Sequence, residues 1–336
     1  MQNRFGRISL VLLAASFLST VTATAQQITL DMVPVGNPGN APDPATGNVY
    51  GAVSYNYNID AYDVTLGQYT TFLNAVAKTD TYGLYNSYMG NGGGGAGYPF
   101  GIARTGSPGS YSYSVTGSNP QRANMPVFSE TWLDAARFCN WLQNGQLTGS
   151  EGTATTEAGA YTLNGDVSSG LESRNAGAKY FIPSTNEWYK AAYYNPSSGT
   201  YSTYATQSNL APSNSLVLVA NDANYNNGGY TDSTNILTPV GYFSTSPSYY
   251  GTFDQSGDIW NWTDAIVAGT YRSWRGGIWD GSAAYMASSS AGNYGYPASG
   301  SDGGVGFRVA SVPEPGSIAL LLAAAGGLLI WRVRRK

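Results

Sequence analysis

The chain of 336 residues contains no histidine and a single cysteine, Cys139, and its formal net charge at pH 7 is −4. The lack of histidine excludes Ser-His-Asp triads, Cys-His dyads and histidine-ligated zinc or iron. A lone cysteine cannot form an intramolecular disulfide. The acidic balance argues against a nucleic-acid partner, because phosphate recognition needs a basic face.

The first 25 residues have the three parts of a secretory signal peptide. Arg4 and Arg7 form a positive region, residues 8–18 form a short apolar run, and Ala23-Thr24-Ala25 offers a small-residue cleavage site. We expect the mature chain to begin at Gln26. Without the two ends, the domain retains ten Lys and Arg against 19 Asp and Glu, a net charge of −9.

Three helix starts can be read along the domain. Thr65 is followed three residues later by Gln68, which fits a capping box ahead of an apolar helical face. Ser129 precedes a second run in which apolar residues share one helical face. Ser184 and Glu187 form another capping box. These patterns predict three helices.

The rest of the domain is irregular. Residues 51–60 alternate in polarity like a strand, whereas residues 90–118 and 148–177 are rich in glycine and polar residues. No long helix is predicted between Tyr194 and the C-terminal tail. The fold class is therefore α+β with unusually long loops, which are usually functional or braced, for example by a metal ion.

A series of motifs occurs in fixed order along the domain. The motifs are YDVTLGQYTTFL (62–73), MPVFSETWLDAARFCNWL (125–142), YFIPSTNEWYKAA (180–192), GTFDQSGDIWNW (251–262), RGGIW (275–279) and GFR (306–308). Together they resemble the formylglycine-generating enzyme family, also called the sulfatase-modifying factor domain. The resemblance covers residues 31–311 and implies a variant of the C-type lectin fold, loop-rich, with few short helices and bound calcium.

The residues of these motifs have mostly structural interpretations. Trp188, Trp260 and Trp262 are expected to be core anchors, and Arg275 and Arg308 are expected to pair internally or brace loops. Gly276-Gly277 predicts a tight backbone approach.

The resemblance also implies two structural calcium sites. Oxygen-rich loops suit calcium, but an Asx-rich turn without metal is the alternative for both. The family usually has glutamate where this chain has Asn261, so one negative charge is lost and calcium binding should weaken. The implied ligands are Asp254, Gly257 (carbonyl), Ile259 (carbonyl) and Asn261 for the first site, and Asn224, Tyr225 (carbonyl), Asp232 and Thr234 (carbonyl) for the second.

The family's catalytic groups are missing from the sequence. The resemblance places its two copper-binding cysteines at about Gly281 and Met286, and a related branch of the superfamily uses histidines on iron. Cys139 is expected on the buried face of a helix, where a thiol is inert. Copper is therefore not expected. Asp254, Asp258 and Asp264 could in principle do acid–base work, but structural calcium ligation or a solvated turn is favoured.

The C-terminal tail, residues 312–336, resembles the PEP-CTERM sorting signal. Val312-Pro313-Glu314-Pro315 is followed by an uncharged run, residues 318–331, and a basic end, residues 332–336. The run is short for a permanent membrane span, which needs roughly 20 residues, and the basic end should stay cytoplasmic. The resemblance implies processing by an exosortase-type membrane protease, after transient anchoring in the inner membrane of a bacterial cell. An ordinary C-terminal anchor is the alternative.

Two functions fit these observations. The favoured one is an exported, non-catalytic binding or structural module at the cell surface or in the extracellular matrix, with a polysaccharide or surface protein as partner. Candidate contact residues are Tyr249, Tyr250, Tyr294 and Tyr296. The alternative is a formylglycine-generating oxidase that acts on a protein cysteine, as in sulfatase activation.

Overall fold

The computed structural model describes residues 27–90, 97–117, 119–290 and 296–312. The predicted signal peptide and nearly all of the C-terminal tail lie outside these residues, and both stay predictions. Within the described ranges, no helix is long and apolar enough to cross a membrane.

Capping residues fix where the helices begin. The helices of the described chain are α1 (Leu66–Val76), α2 (Trp132–Gln143), α3 (Thr185–Tyr193) and the short α4 (Ala283–Met286). At α1, Thr65 Oγ1 accepts from Gln68 N at 3.2 Å and Gln68 Oε1 accepts from Thr65 N at 2.9 Å. Ser184 and Glu187 make the same exchange at α3. Both predicted capping boxes are confirmed.

The start of α2 differs from the prediction. Its N-cap is Thr131, whose Oγ1 accepts from Asp134 N at 3.0 Å, and Asp134 Oδ2 accepts from Thr131 N at 2.9 Å. Ser129 lies two residues earlier in a left-handed conformation, with φ of 65°. The chain therefore turns at Ser129 before the helix starts.

Short strands make up the sheets of the described chain. The strands are β1 (Met32–Val35), β2 (Tyr57–Asp60), β3 (Ile102–Thr105), β4 (Ser112–Val115), β5 (Tyr180–Phe181), β6 (Tyr194–Asn195), β7 (Thr200–Tyr201), β8 (Trp260–Val267), β9 (Tyr271–Arg275), β10 (Tyr296–Pro297), β11 (Val305–Gly306) and β12 (Ala310–Ser311).

Two four-stranded sheets organise the domain, in the orders β1-β2-β12-β5 and β10-β9-β8-β11. In the first sheet, β12 lies antiparallel to both β2 and β5, so the two ends of the described domain meet in one sheet. Small hairpins pair β3 with β4 and β6 with β7.

The main core lies between α1, α2 and the first sheet and is rich in aromatic rings. Phe72 of α1 contacts Phe138 and Trp141 of α2, with ring centroids 5.3 and 5.2 Å apart. Each fully buried ring of this kind contributes on the order of 2–3 kcal/mol. Cys139 is completely buried here, and burial raises the pKa of its thiol well above the ordinary value. The prediction of an inert structural cysteine is consistent with this environment.

The predicted core anchors and the α+β class are confirmed. Trp188 and Trp262 are fully buried and Trp260 is nearly so. Few helices, short strands and long loops make up the described chain. After Tyr194, the longest helix of the described residues is the four-residue α4.

Candidate functional site

Asp254 and Asp258 lie in the tight turn that precedes β8. Both have left-handed backbones with φ of 60°, a conformation that aspartate adopts more readily than most residues. Asp254 Oδ2 accepts a hydrogen bond from Gly241 N at 2.6 Å. Asp258 Oδ1 accepts from Asn224 Nδ2 at 2.7 Å and from Thr238 N at 3.1 Å. Burial raises the pKa of Asp254 to about 7. Donors within the protein therefore hold this turn.

Asn261, in β8, is surrounded by donors. Its Oδ1 accepts from Trp188 Nε1 at 2.9 Å and from Arg308 Nε at 2.8 Å. These two donors occupy both lone pairs of the amide oxygen, and the guanidinium would repel a cation. Asn261 Nδ2 faces Ile259 O at 3.4 Å.

This geometry bears on the first predicted calcium group. In this arrangement, Asn261 Oδ1 does not suit a role as a ligand to a cation, because the Trp188 and Arg308 donors would have to move away first. Calcium at this group stays a prediction. The group consists of Asp254, Gly257, Ile259 and Asn261.

The second predicted group has one oxygen that fits a cation. Asn224 is 1 % exposed and its Oδ1 has no hydrogen-bond partner among the described residues; oxygen donors of this kind suit calcium. Tyr225 O accepts from Thr231 Oγ1 at 3.1 Å. Asp232 Oδ1 instead accepts from Thr234 N at 2.8 Å, which forms an Asx turn. Calcium here also stays a prediction, with Asn224 as its best-placed ligand.

The positions implied for the family's cysteines are closed by packing. Met286 is fully buried against Tyr225 and other small or aromatic residues. A Cβ atom on Gly277 would lie 2.5 Å from Met286 Cγ, and one on Gly257 would lie 3.1 Å from Met286 Sδ. Gly281 is buried, and its carbonyl accepts from Asn226 N at 2.9 Å. The Met286 thioether thus fills the space beside both glycines.

Arg308 pairs internally, as predicted, whereas Nε and Nη2 of Arg275 are buried without a hydrogen-bond partner among the described residues. Arg308 is fully buried and donates from Nη2 to Asp63 Oδ1 at 2.8 Å. The Arg275 guanidinium lies over the rings of Tyr50 and Tyr189, 4.3 and 5.1 Å from their centroids.

The contacts of the Asp264 side chain differ from those of the Asp254 turn. Its Oδ1 accepts from Arg272 Nη1 at 3.0 Å, as part of a buried ion pair. The ion pair gives Asp264 a structural role that differs from the predicted calcium ligation or solvated turn.

The tyrosines proposed as contact residues have different surroundings. Tyr250 donates to Gly36 O at 3.3 Å. The ring of Tyr296 stacks on Trp274, with centroids 5.2 Å apart. Tyr249 is partly exposed, and Tyr294 lies outside the described residues. Tyr250 and Tyr296 therefore take part in internal packing.

A large polar cleft, which we call the Asp60 cleft, was not predicted from the sequence. It has a volume of about 580 Å³, within the range of roughly 300–1,000 Å³ typical of ligand sites. Its lining includes Asp31, Asp60, Tyr62, Gln121 and Asn124. These residues are far apart in sequence, and the only local signal was two acids, Asp60 and Asp63, near the end of a predicted strand.

Burial dominates the electrostatics at the wall of this cleft. It raises the pKa of Asp60 to about 7, although a backbone hydrogen bond from Tyr62 and the charge of Arg308 act in the opposite direction. Burial also raises the pKa of Asp63, whose Oδ2 has no hydrogen-bond partner among the described residues. The cleft wall therefore holds carboxyl groups that the protein itself does not fully satisfy.

Comparison with known proteins identifies the scaffold. Residues 41–312 match the family model described as the sulfatase-modifying factor enzyme 1-like domain. Among solved structures, Treponema denticola variable protein 1 superposes with a TM-score of 0.52 at 19 % identity, covering 86 % of this chain and 98 % of that one. CarF gives a TM-score of 0.51 at 19 % identity, covering 85 % and 99 %. No curated protein matches the sequence. The predicted fold is confirmed.

Proposed function

We propose that this chain, which belongs to the sulfatase-modifying factor enzyme 1-like domain family, is an exported binding or structural module without the family's copper-dependent oxidation. The observation that carries the proposal is the packing of Met286. A buried thioether and a glycine occupy the positions where the resemblance implies two thiolates. A soft thiolate pair is what favours Cu(I), and neither residue can supply one.

The proposed cellular location follows from the two ends of the sequence. Residues 1–25 would direct export, and residues 312–336 would hold the chain in the inner membrane until an exosortase-type enzyme processes it. The domain would then reach the outer surface or the extracellular matrix. Because β1 and β12 flank β2, the anchored tail and the mature N-terminus would leave from the same sheet.

The proposal includes a structural calcium ion and does not include copper. The orphaned Asn224 oxygen is the observation that supports calcium binding in the loop between residues 224 and 234. A bound ion would satisfy that oxygen and brace the loop. The ion would then support the binding surface without taking part in chemistry.

The test is retention on extracellular polysaccharide from the producing cells. The purified full chain is passed over immobilised polysaccharide in calcium and again in a calcium chelator. We expect retention in calcium and weaker retention in chelator, since the unbraced loops would be less ordered. Equal passage of this chain and an unrelated acidic protein of similar size would contradict the binding role.

A further inference from the structure

The Asp60 side chain is directed at the Asp60 cleft by strand geometry. Tyr57 and Ile59 of β2 are fully buried in the main core. Side chains alternate between the faces of a strand, so Asp60 lies on the opposite face, which lines the cleft. Asp60 is only 2 % exposed. The carboxyl group therefore reaches the cleft from a largely desolvated position.

The Asp60 carboxyl group is only weakly satisfied within the described chain. Asp60 Oδ1 accepts one long hydrogen bond of 3.3 Å, from Tyr62 N. A largely desolvated carboxyl group is stabilised by a further donor or cation that reaches it. The position beside the open cleft therefore suits a cationic or hydrogen-bond-donating ligand.

The cationic side chains near the cleft do not supply a partner for the Asp60 carboxyl group. Arg308, the nearby guanidinium, is fully buried and donates to Asp63 Oδ1 and to the main-chain carbonyl of Asp60. None of the described residues that line the cleft is lysine or arginine. Asp31, on the same cleft, is exposed. Asp60 and Asp31 thus give the cleft negative charge that a ligand could neutralise.

The neutral part of the lining suits a ligand with many hydroxyl groups. Gln121 and Asn124 are exposed and bond each other, from Asn124 Nδ2 to Gln121 Oε1 at 3.3 Å. That contact leaves the Gln121 amide N–H groups and the Asn124 Oδ1 atom available. The ring of Tyr62 is held in place by stacking on Phe253, with centroids 5.5 Å apart. The predominantly polar lining favours a sugar ligand over the lysine of a peptide, because the peptide would bring apolar groups into the cleft beside that lysine.

We propose that the Asp60 cleft binds a glycan that carries free amino groups. The ammonium group of one amino sugar pairs with Asp60 and Asp31, and ring hydroxyls contact Gln121 and Asn124. This assignment rests on the proposed function, because it names the polysaccharide class that the module recognises. It places recognition away from Gly281 and Met286.

The test is calorimetric titration of the purified full chain with three probes: a glucosamine hexamer, the same hexamer fully N-acetylated, and spermine. We expect the glucosamine hexamer to bind about tenfold tighter than the acetylated one, because acetylation removes the charge that pairs with the carboxylates. Spermine should bind more weakly than the glucosamine hexamer, since it lacks hydroxyl groups. Equal binding of the two hexamers, or tightest binding by spermine, would overturn the proposal.

Matched variants separate site binding from general charge attraction. Asp60→Asn should weaken the glucosamine hexamer about tenfold, whereas Asp302→Asn, which removes the same charge outside the cleft, should bind as the wild type does. Asp31→Asn, at an exposed position, provides a second cleft variant. Unchanged binding in both cleft variants would overturn the assignment. If matrix polysaccharide is still retained while the glucosamine hexamer fails to bind, the amino-sugar inference is wrong and the proposed function stands.

Discussion

The Met286 position and the Asp60 cleft show opposite ways of filling a site in one scaffold. At Met286, an apolar side chain packs against Gly257 and Gly277 and leaves the position closed. At the Asp60 cleft, about 580 Å³ stays open beside a buried carboxyl group that accepts one long hydrogen bond, from Tyr62 N at 3.3 Å. Packing alone explains the first region. The second holds a buried carboxyl group with a raised pKa beside an open cleft, a combination that is typical of a binding site.

Removing the charge beneath the cleft should have the largest effect. Arg308→Met would leave Asp63 buried without its cation and remove donors to Asn261 and three main-chain carbonyls. We expect the free energy of unfolding to fall by about 3–5 kcal/mol, as for other broken buried pairs. Denaturant unfolding would measure it. The control Lys78→Met, at an exposed position, should change it by less than about 0.5 kcal/mol.

Opening the closed position should have the next largest effect. Met286→Ala would leave a cavity at a fully buried site, and we expect a loss of about 2–5 kcal/mol in unfolding free energy. Gly277→Ala should also destabilise, because its Cβ would meet Met286 Cγ at 2.5 Å and its φ is +87°.

A double-mutant cycle checks that these two residues share one space. In the Met286→Ala background, Gly277→Ala should destabilise less than in the wild type, because the clash is relieved and only backbone strain remains. Strict additivity would show that Met286 does not close this position.

Buried carboxyl groups should make stability fall as pH rises. Burial raises the pKa values of Asp60, Asp254 and Asp264 from 3.8 to about 7. Between about pH 4 and 7 the folded state therefore binds more protons than the unfolded state, and stability declines with pH. Each of these groups should lower the unfolding free energy by about 2–3 kcal/mol between pH 5 and pH 8, measured in a calcium chelator. In the Asp60→Asn variant, the unfolding free energy should decline less steeply with pH. The same slope as in the wild type would contradict the raised pKa of Asp60.

The smallest effect is expected at Gly281. A Cβ there would lie 3.0 Å from Tyr285 Cδ2 and 3.1 Å from Ile278 Cγ2. The Tyr285 side chain is 41 % exposed and can move aside. Gly281→Ala should change the melting temperature by less than the equivalent of about 1 kcal/mol. A large loss of stability would show that this position depends on glycine after all.

Local chemistry explains what could be predicted from the sequence. The exchanges between Thr65 and Gln68, and between Ser184 and Glu187, span three residues and define their helices. The start of α2 was misplaced because Ser129 is also a good cap by composition. Only the turn at Ser129 makes Thr131 the N-cap, and that turn depends on tertiary contacts such as Ser129 N donating to Val305 O.

The site residues depended on contacts between distant segments. The Asn261 oxygen is occupied by Trp188 and Arg308, which lie 73 and 47 residues away in sequence. The Asp60 cleft joins the start of the described chain to residues around 121–124 and 239–240. Neither arrangement leaves a periodic or spacing signal in the sequence. The motifs therefore indicated the loop segments, but they did not indicate the Asp60 cleft.

We propose that this chain binds and does not oxidise, and the absence of oxidation can be tested on a peptide. The most direct test incubates the full chain with copper, oxygen and a cysteine-containing sulfatase peptide, and follows the peptide by mass spectrometry beside a copper-competent formylglycine generator. We expect the peptide cysteine to stay unmodified with this chain while the generator converts it. Catalytic conversion of the peptide by this chain would contradict the proposed function.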